Sequence, residues 1–391
     1  MVVPDRQPTP IAEYVVKVAS RCNLDCDYCY VYHHADQGWR RQPVMMADRV
    51  VAALAARVRE HARRWELPAV GIAFHGGEPL LAGAQTLDRM FTVLRRELAG
   101  VTELVLMCQT NGTLVTPAVA AVLADHDVRV GVSLDGPRSA NDRHRTYRDG
   151  RSSFDEVLAG IERLRAAGPR VFSGVLATID LANDPLEVYR TIAGLDPRHC
   201  DLLLPHGNWS SPPPGRDTTG TGTPYADWLG VIFDRWYAEP VQPLTIRIFQ
   251  DTMSLLLGGG GAFEMLGTDP VGLVTIETDG SIELVDTLKT TYDGAASTDL
   301  NVLTHSIDEV LTHPGVVVRQ DGKESLAAQC RACPIVDTCG GGLYPHRYGD
   351  DGGFDRPSVY CPDLFALITR IRDRIGDDLR TLATAGQGTG R

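Results

Sequence analysis

The chain has 391 residues, 43% hydrophobic and 23% charged, with a formal net charge of −12. That balance fits a soluble globular protein of one large domain plus a smaller one, or of two, and argues against non-specific nucleic-acid binding. The opening MVVPDRQPTPIAEY has no apolar h-region or small-residue cleavage site, and no apolar run nears the roughly 20 residues of a membrane span. The expectation is a cytoplasmic protein with no membrane partner.

From Glu13 to Pro205 short β-rich runs alternate with amphipathic stretches. Strands are predicted at 13–19, 70–75, 103–110, 128–134, 171–179 and 200–205, and helices at 47–65, 84–98, 116–125 and 153–167. This alternation predicts an α/β fold, a partial (β/α)6 barrel of TIM type with its chemistry at the C-terminal strand ends. Only about a dozen residues precede the first strand, which leaves no room for an N-terminal peptide-recognition domain. HGNWSSPPPGRDTTGTGTPY (206–225) is a loop by composition, either a spacer or a substrate-facing segment. Helical patterns resume at 225–238 and 246–257. VTIETDGSIELVD (274–286) reads as a hairpin turning at Asp279-Gly280. A final helix is expected over 361–378, with TAGQGTGR as a frayed tail. The expected division is a barrel over 1–240, a helical bridge over 241–272 and an α+β domain over 273–391.

Seven of the nine cysteines fall into two tight clusters, which in a reducing compartment points to metal or redox chemistry rather than disulfides. Cys108 and Cys200, in predicted apolar strands, read as buried structural residues. Cys22, Cys26 and Cys29 follow the first strand at Cys-x3-Cys-x2-Cys spacing. Three thiolates without a fourth at standard spacing suit a cluster with one iron left open. A structural zinc would need a further ligand, which His33 or His34 could supply.

With Tyr28 at its aromatic position, this loop resembles the Cys-x3-Cys-x-aromatic-Cys signature of radical S-adenosylmethionine (SAM) enzymes. FHGGEP, QTNG and SLDG, each ending a predicted strand, match further motifs of that family in order. The resemblance implies a 4Fe–4S cluster on Cys22, Cys26 and Cys29 whose fourth iron is chelated by SAM. It further implies SAM contacts from Gly76, Gly77, Glu78, Asn111, Ser133, Asp135 and Arg145.

Cys330, Cys333 and Cys339 stand at Cys-x2-Cys-x5-Cys spacing, and Cys361 follows. A four-thiolate zinc site competes on spacing alone. The pattern resembles the SPASM extension of radical SAM enzymes that modify peptides and proteins, which implies an auxiliary 4Fe–4S cluster on these four residues. The full extension holds a second auxiliary cluster, but Val285 and Leu343 occupy two of its cysteine positions. The expectation is therefore two 4Fe–4S clusters in all, one of them auxiliary, in a SPASM-like iron–sulfur domain. Asp286 falls where related sulfatase-maturing enzymes carry a catalytic base; the plainer alternative is a residue capping the hairpin end. His346, Arg347 and Tyr348 would tune the auxiliary cluster, face substrate, or form an ordinary polar loop.

LLPHGNW, DGSIELVDTLKT, CGGGLYPHRY and PSVYC together resemble the FxsB-like branch, which builds three-residue cyclophanes in ribosomally made precursor peptides. That resemblance implies a 5′-deoxyadenosyl radical removing a β-hydrogen from a precursor peptide, so that the carbon bonds to an aromatic ring. The electron donor would be a flavodoxin or ferredoxin. The alternatives are formylglycine formation of the sulfatase-maturing type, disfavoured by the missing auxiliary cluster, and a non-enzymatic zinc-bearing peptide-binding scaffold.

Overall fold

The structure is a computed structural model and describes residues 7–261 and 264–387. All six expected strands form: β1 (Glu13–Ala19), β2 (Ala69–Gly76), β3 (Glu103–Thr110), β4 (Arg129–Ser133), β5 (Phe172–Thr178) and β6 (His199–Leu203). β1 to β5 pair in parallel in chain order. The connecting helices are α1 (Asp48–Arg64), α2 (Gly83–Leu98), α3 (Pro117–Asp125), α4 (Arg138–His144), α5 (Phe154–Ala167) and α6 (Pro185–Gly194). Strands covered on both faces carry near-continuous apolar runs, which is why these segments were legible. Helix starts follow local chemistry: the Thr116 hydroxyl accepts from the Val119 N–H at 3.2 Å, with Pro117 in the first turn.

Two compact units divide the chain. The first comprises residues up to Thr178, Pro197–His199 and Pro270–Asp321. Beyond β7 (Thr245–Ile246), which belongs to the second unit, come β8 (Leu273–Ile276), β9 (Ser281–Glu283) and β10 (Ser297–Asn301) in the first. The expected hairpin is β8–β9, antiparallel, with Gly280 at φ 90° in its turn. β8 also pairs in parallel with β1, so the first unit's sheet runs β10-β9-β8-β1-β2-β3-β4-β5. Its core includes the fully buried Tyr14, Phe74 and Phe91; the last two meet edge-on with centroids 4.7 Å apart, joining β2 to α2.

The second unit comprises Ile179–Asp196, Cys200–Asp269 and the residues from Gly322 onward. It contains α7 (Pro224–Tyr237), α8 (Arg247–Leu256) and a C-terminal helix, Cys361–Gln387. That helix runs past its expected end into the segment predicted to fray; residues 388–391 lie outside the described residues. The loop after β6 is not a loose spacer. Buried Arg216 donates to the carbonyls of Val359 (3.0 Å), Asp217 (2.7 Å) and Gly222 (3.1 Å), pinning the loop within its unit. Cys108 and Cys200 are buried free thiols, as expected.

Candidate active site

Polar groups gather at the C-terminal ends of β1 to β4, in the first unit. The cysteine loop leaves β1 and is stitched to its neighbours by backbone. Gly77 N–H donates to the Ala19 carbonyl (2.8 Å) and Glu78 N–H to the Arg21 carbonyl (3.0 Å). A Cβ on Gly77 would fall on the Arg21 carbonyl and the Tyr32 hydroxyl, so this approach requires glycine. Glu78 is fully buried. One carboxylate oxygen accepts from Leu80 N–H (2.9 Å) and the Thr110 hydroxyl (2.6 Å), the other from Asn111 N–H (2.7 Å). It thus ties the end of β2 to the end of β3, with about one lone-pair site left for a ligand. The Asn111 amide donates to Asn23 Oδ1 (2.9 Å), beside Cys22, and to Cys22 Sγ (3.7 Å).

Tyr28 donates to Asp135 Oδ2 at 2.6 Å and accepts from Arg145 Nη1 at 2.7 Å. Asp135 Oδ1 accepts from the Thr178 N–H at 3.0 Å. Burial pushes the Asp135 carboxyl up, opposed by the Arg145 charge. Arg145 Nε is buried without a hydrogen-bond partner among the described residues, a donor left over for an anionic ligand. Ser133 accepts from Gln109 at 2.8 Å and is half-buried.

The three loop thiols resist ionisation on their own. Burial, then the Glu78 charge, pushes Cys22 up to about 12. Burial pushes Cys26 up to about 11 against the Arg145 charge, and raises Cys29 as well. Each also feels the charge of a neighbouring thiol or of a nearby cation.

Asp286 stands just beyond β9, in the same unit, buried against β1. Its Oδ2 pairs with the Lys17 ammonium and accepts the Tyr30 hydroxyl at 2.6 Å. Burial alone would raise this carboxyl, but the Lys17 charge and the two hydrogen bonds outweigh it, joined by His75 only in the acid range where that ring is protonated, and hold it well below the usual carboxylate range. Burial and the Lys17 charge lower His75 to about 4, so that its imidazole is neutral. Lys17, Tyr30 and His75 were missed by sequence reasoning. A lone lysine in the apolar strand EYVVKVA was the available signal.

In the second unit, Cys330, Cys333, Cys339 and Cys361 line one cavity of about 500 Å³ with Gly341, Val336 and Phe365. Thr221 and Thr223 of the pinned loop also line it. Burial, then the charges of Cys361, Cys330 and Cys333, pushes Cys339 up to about 12. Among the described residues no three Cys, His, Asp or Glu side chains converge on a single-ion position. Four thiols around one volume are a donor set that a zinc ion or an iron–sulfur cluster could each take. Val285 and Leu343 offer no ligand atoms at their positions.

Three thiols at the first strand end, with glycine, carboxylate and amide groups at the next ones, gather at one end of a parallel α/β sheet, a donor set that could hold a cluster with one ligand position open. Residues 16–189 match the family model of the radical SAM superfamily. It is 23% identical over 354 residues to the serine-type anaerobic sulfatase-maturating enzyme of Bacteroides thetaiotaomicron, spanning 87% of this chain and 84% of that enzyme. It is 26% identical over 287 residues to the cysteine-type enzyme of Clostridium perfringens, spanning 70% and 73%. Its fold is that of native anSMEcpe with bound AdoMet, with a TM-score of 0.78 and 21% identity over 95% of this chain and 99% of the other.

These relatives overturn the expected cyclophane crosslink. The chain resembles sulfatase-maturating enzymes over most of its length, the alternative that was set aside because of Val285 and Leu343. Those two residues speak to how many clusters the chain can ligate. They say nothing about which bond the radical makes or breaks.

Proposed function

We propose that this chain oxidises the side chain of a cysteine or serine in a protein or peptide substrate to formylglycine. The carrying observation is Asp286, buried and held ionised by Lys17 and Tyr30, in a chain similar to both serine-type and cysteine-type sulfatase-maturating enzymes. Cys22, Cys26 and Cys29 would hold the cluster that binds SAM, with Gly76, Gly77, Glu78, Asn111, Ser133, Asp135 and Arg145 shaping the SAM site. When bound, the cluster and SAM supply a carbon radical able to take a hydrogen atom from the substrate β-carbon. Asp286 receives the proton of the substrate thiol or hydroxyl. The substrate also gives up a second electron; a cluster held by the four thiols of the second unit would be its acceptor, and a flavodoxin or ferredoxin would supply the electron that cleaves SAM. A serine becomes the aldehyde directly; a cysteine becomes a thioaldehyde, which water converts to the aldehyde with release of hydrogen sulfide. Two 4Fe–4S clusters in all fit the seven clustered cysteines.

The test is incubation of anaerobically reconstituted protein with SAM, reductant and peptides carrying a sulfatase maturation motif with Cys or Ser at the target position. An aldehyde captured by a hydrazine probe is expected. SAM cleavage with neither peptide oxidised would count against the reading.

A further inference from the structure

Arg347 takes no part in the reaction above, yet it is buried in the second unit, 8% exposed. Its Nε donates to the Gly341 carbonyl at 3.1 Å, and its Nη2 to those of Gly340 (2.7 Å) and Gly342 (2.9 Å). Three consecutive carbonyls reach one guanidinium because all three glycines adopt positive φ, at 58°, 78° and 71°. This turn directly follows Cys339, and Gly341 lines the same cavity as the four thiols. A Cβ on Gly341 would stand 3.0 Å from Nη2. Among the described residues no carboxylate forms an ion pair with Arg347. Carbonyl dipoles take up its Nε and Nη2 donors without cancelling its charge, and the Glu264 carboxylate acts on it without forming an ion pair. In a low-dielectric site that charge acts on the nearest anions, and Cys330 and Cys339 are within its reach.

We propose that Arg347 is a positioning residue for the four-thiol site. It braces the Gly340–Gly342 turn behind Cys339 and raises the reduction potential of the cluster held there, making that cluster a better acceptor of the substrate's second electron. The physical ground is that a nearby cation stabilises the reduced, more negative cluster. The inference rests on the reading that these four thiols hold an iron–sulfur cluster.

The experiment uses the full chain carrying C22A, C26A and C29A, so that a single cluster is loaded, with R347Q and R347K made in that background. Glutamine keeps donors for the carbonyls and removes the charge; lysine keeps the charge. Iron and sulfide are measured, and the midpoint potential is read by redox titration of the electron paramagnetic resonance signal. The expected result is full iron with a lowered midpoint in R347Q and a near-parental midpoint in R347K. Iron lost from R347Q but kept in R347K would also support the role of the charge. Equal iron and equal midpoints in all three proteins overturn the proposal, as does iron lost from both variants, which marks a merely structural residue. Absence of iron and sulfide from the parent sinks the cluster reading itself, a distinguishable failure.

Discussion

Tyr30 and Asp286, 256 residues apart in the chain, share a 2.6 Å hydrogen bond at the carboxylate oxygen that also pairs with Lys17. The parallel pairing of β8 with β1 brings them together, since Tyr30 follows β1 and Asp286 follows the β8–β9 hairpin. Oδ2 is occupied; Oδ1 accepts no hydrogen bond among the described residues, which under the proposed role leaves it for the substrate proton. Asp286→Asn should therefore leave 5′-deoxyadenosine formation in place while oxidised peptide falls by about 10²- to 10⁴-fold, the usual span for a lost acid–base group. Equal loss of both products would assign Asp286 to the SAM site instead.

The same ion pair governs acid stability. The folded pKa of Asp286 is depressed below its unfolded value of about 4. Its stabilisation is therefore present above the unfolded value and lost as pH falls through the folded one. Denaturant midpoints of wild type and D286N should differ by a constant amount from neutral pH down to about 4–5 and converge only in stronger acid. Lys17→Met, which strands a buried carboxylate, should cost about 3–5 kcal/mol, and K17M/D286L should recover most of it.

Metal content separates the two thiol sets. Wild-type protein should bind roughly eight irons with matching sulfide, and replacing either Cys22, Cys26 and Cys29 or Cys330 and Cys361 should remove about half. Zinc without sulfide at the second set would replace the cluster assignment with a structural metal.

Gly77→Ala should displace the cysteine loop, because its Cβ would meet the Arg21 carbonyl, which has no rotamer with which to retreat. A destabilisation of about 1–3 kcal/mol is expected. Poorer iron loading at the first thiol set should accompany it, measured beside Gly194→Ala, whose Cβ meets nothing within 4 Å.

Much of this was readable from residue order. The six strands announce themselves as short apolar runs between amphipathic helices, and the seven clustered cysteines as two spaced sets at defined places along them. Less legible was anything made by distant pairing. No periodicity in residues 273–276 says that they will lie against β1, so residue order offered no partner for Lys17 and left Asp286 between catalytic base and hairpin cap. Arg347 stood among three readings, cluster tuning, substrate contact or polar loop, because the convergence of three glycine carbonyls on it depends on backbone geometry. The cyclophane expectation rested on four short stretches that resemble the FxsB-like branch, with the missing auxiliary cluster counting against the alternative; neither feature specifies which bond is made or broken.

β1 is flanked on both sides by parallel partners, β2 and β8. A fragment ending before residue 270 would strip one flank and leave the backbone of Glu13–Val16 as an open edge beside the cysteine loop. The catalytic half of this chain is therefore not a portable cassette. Shortened or fused forms that omit the late hairpin would face self-association along that edge.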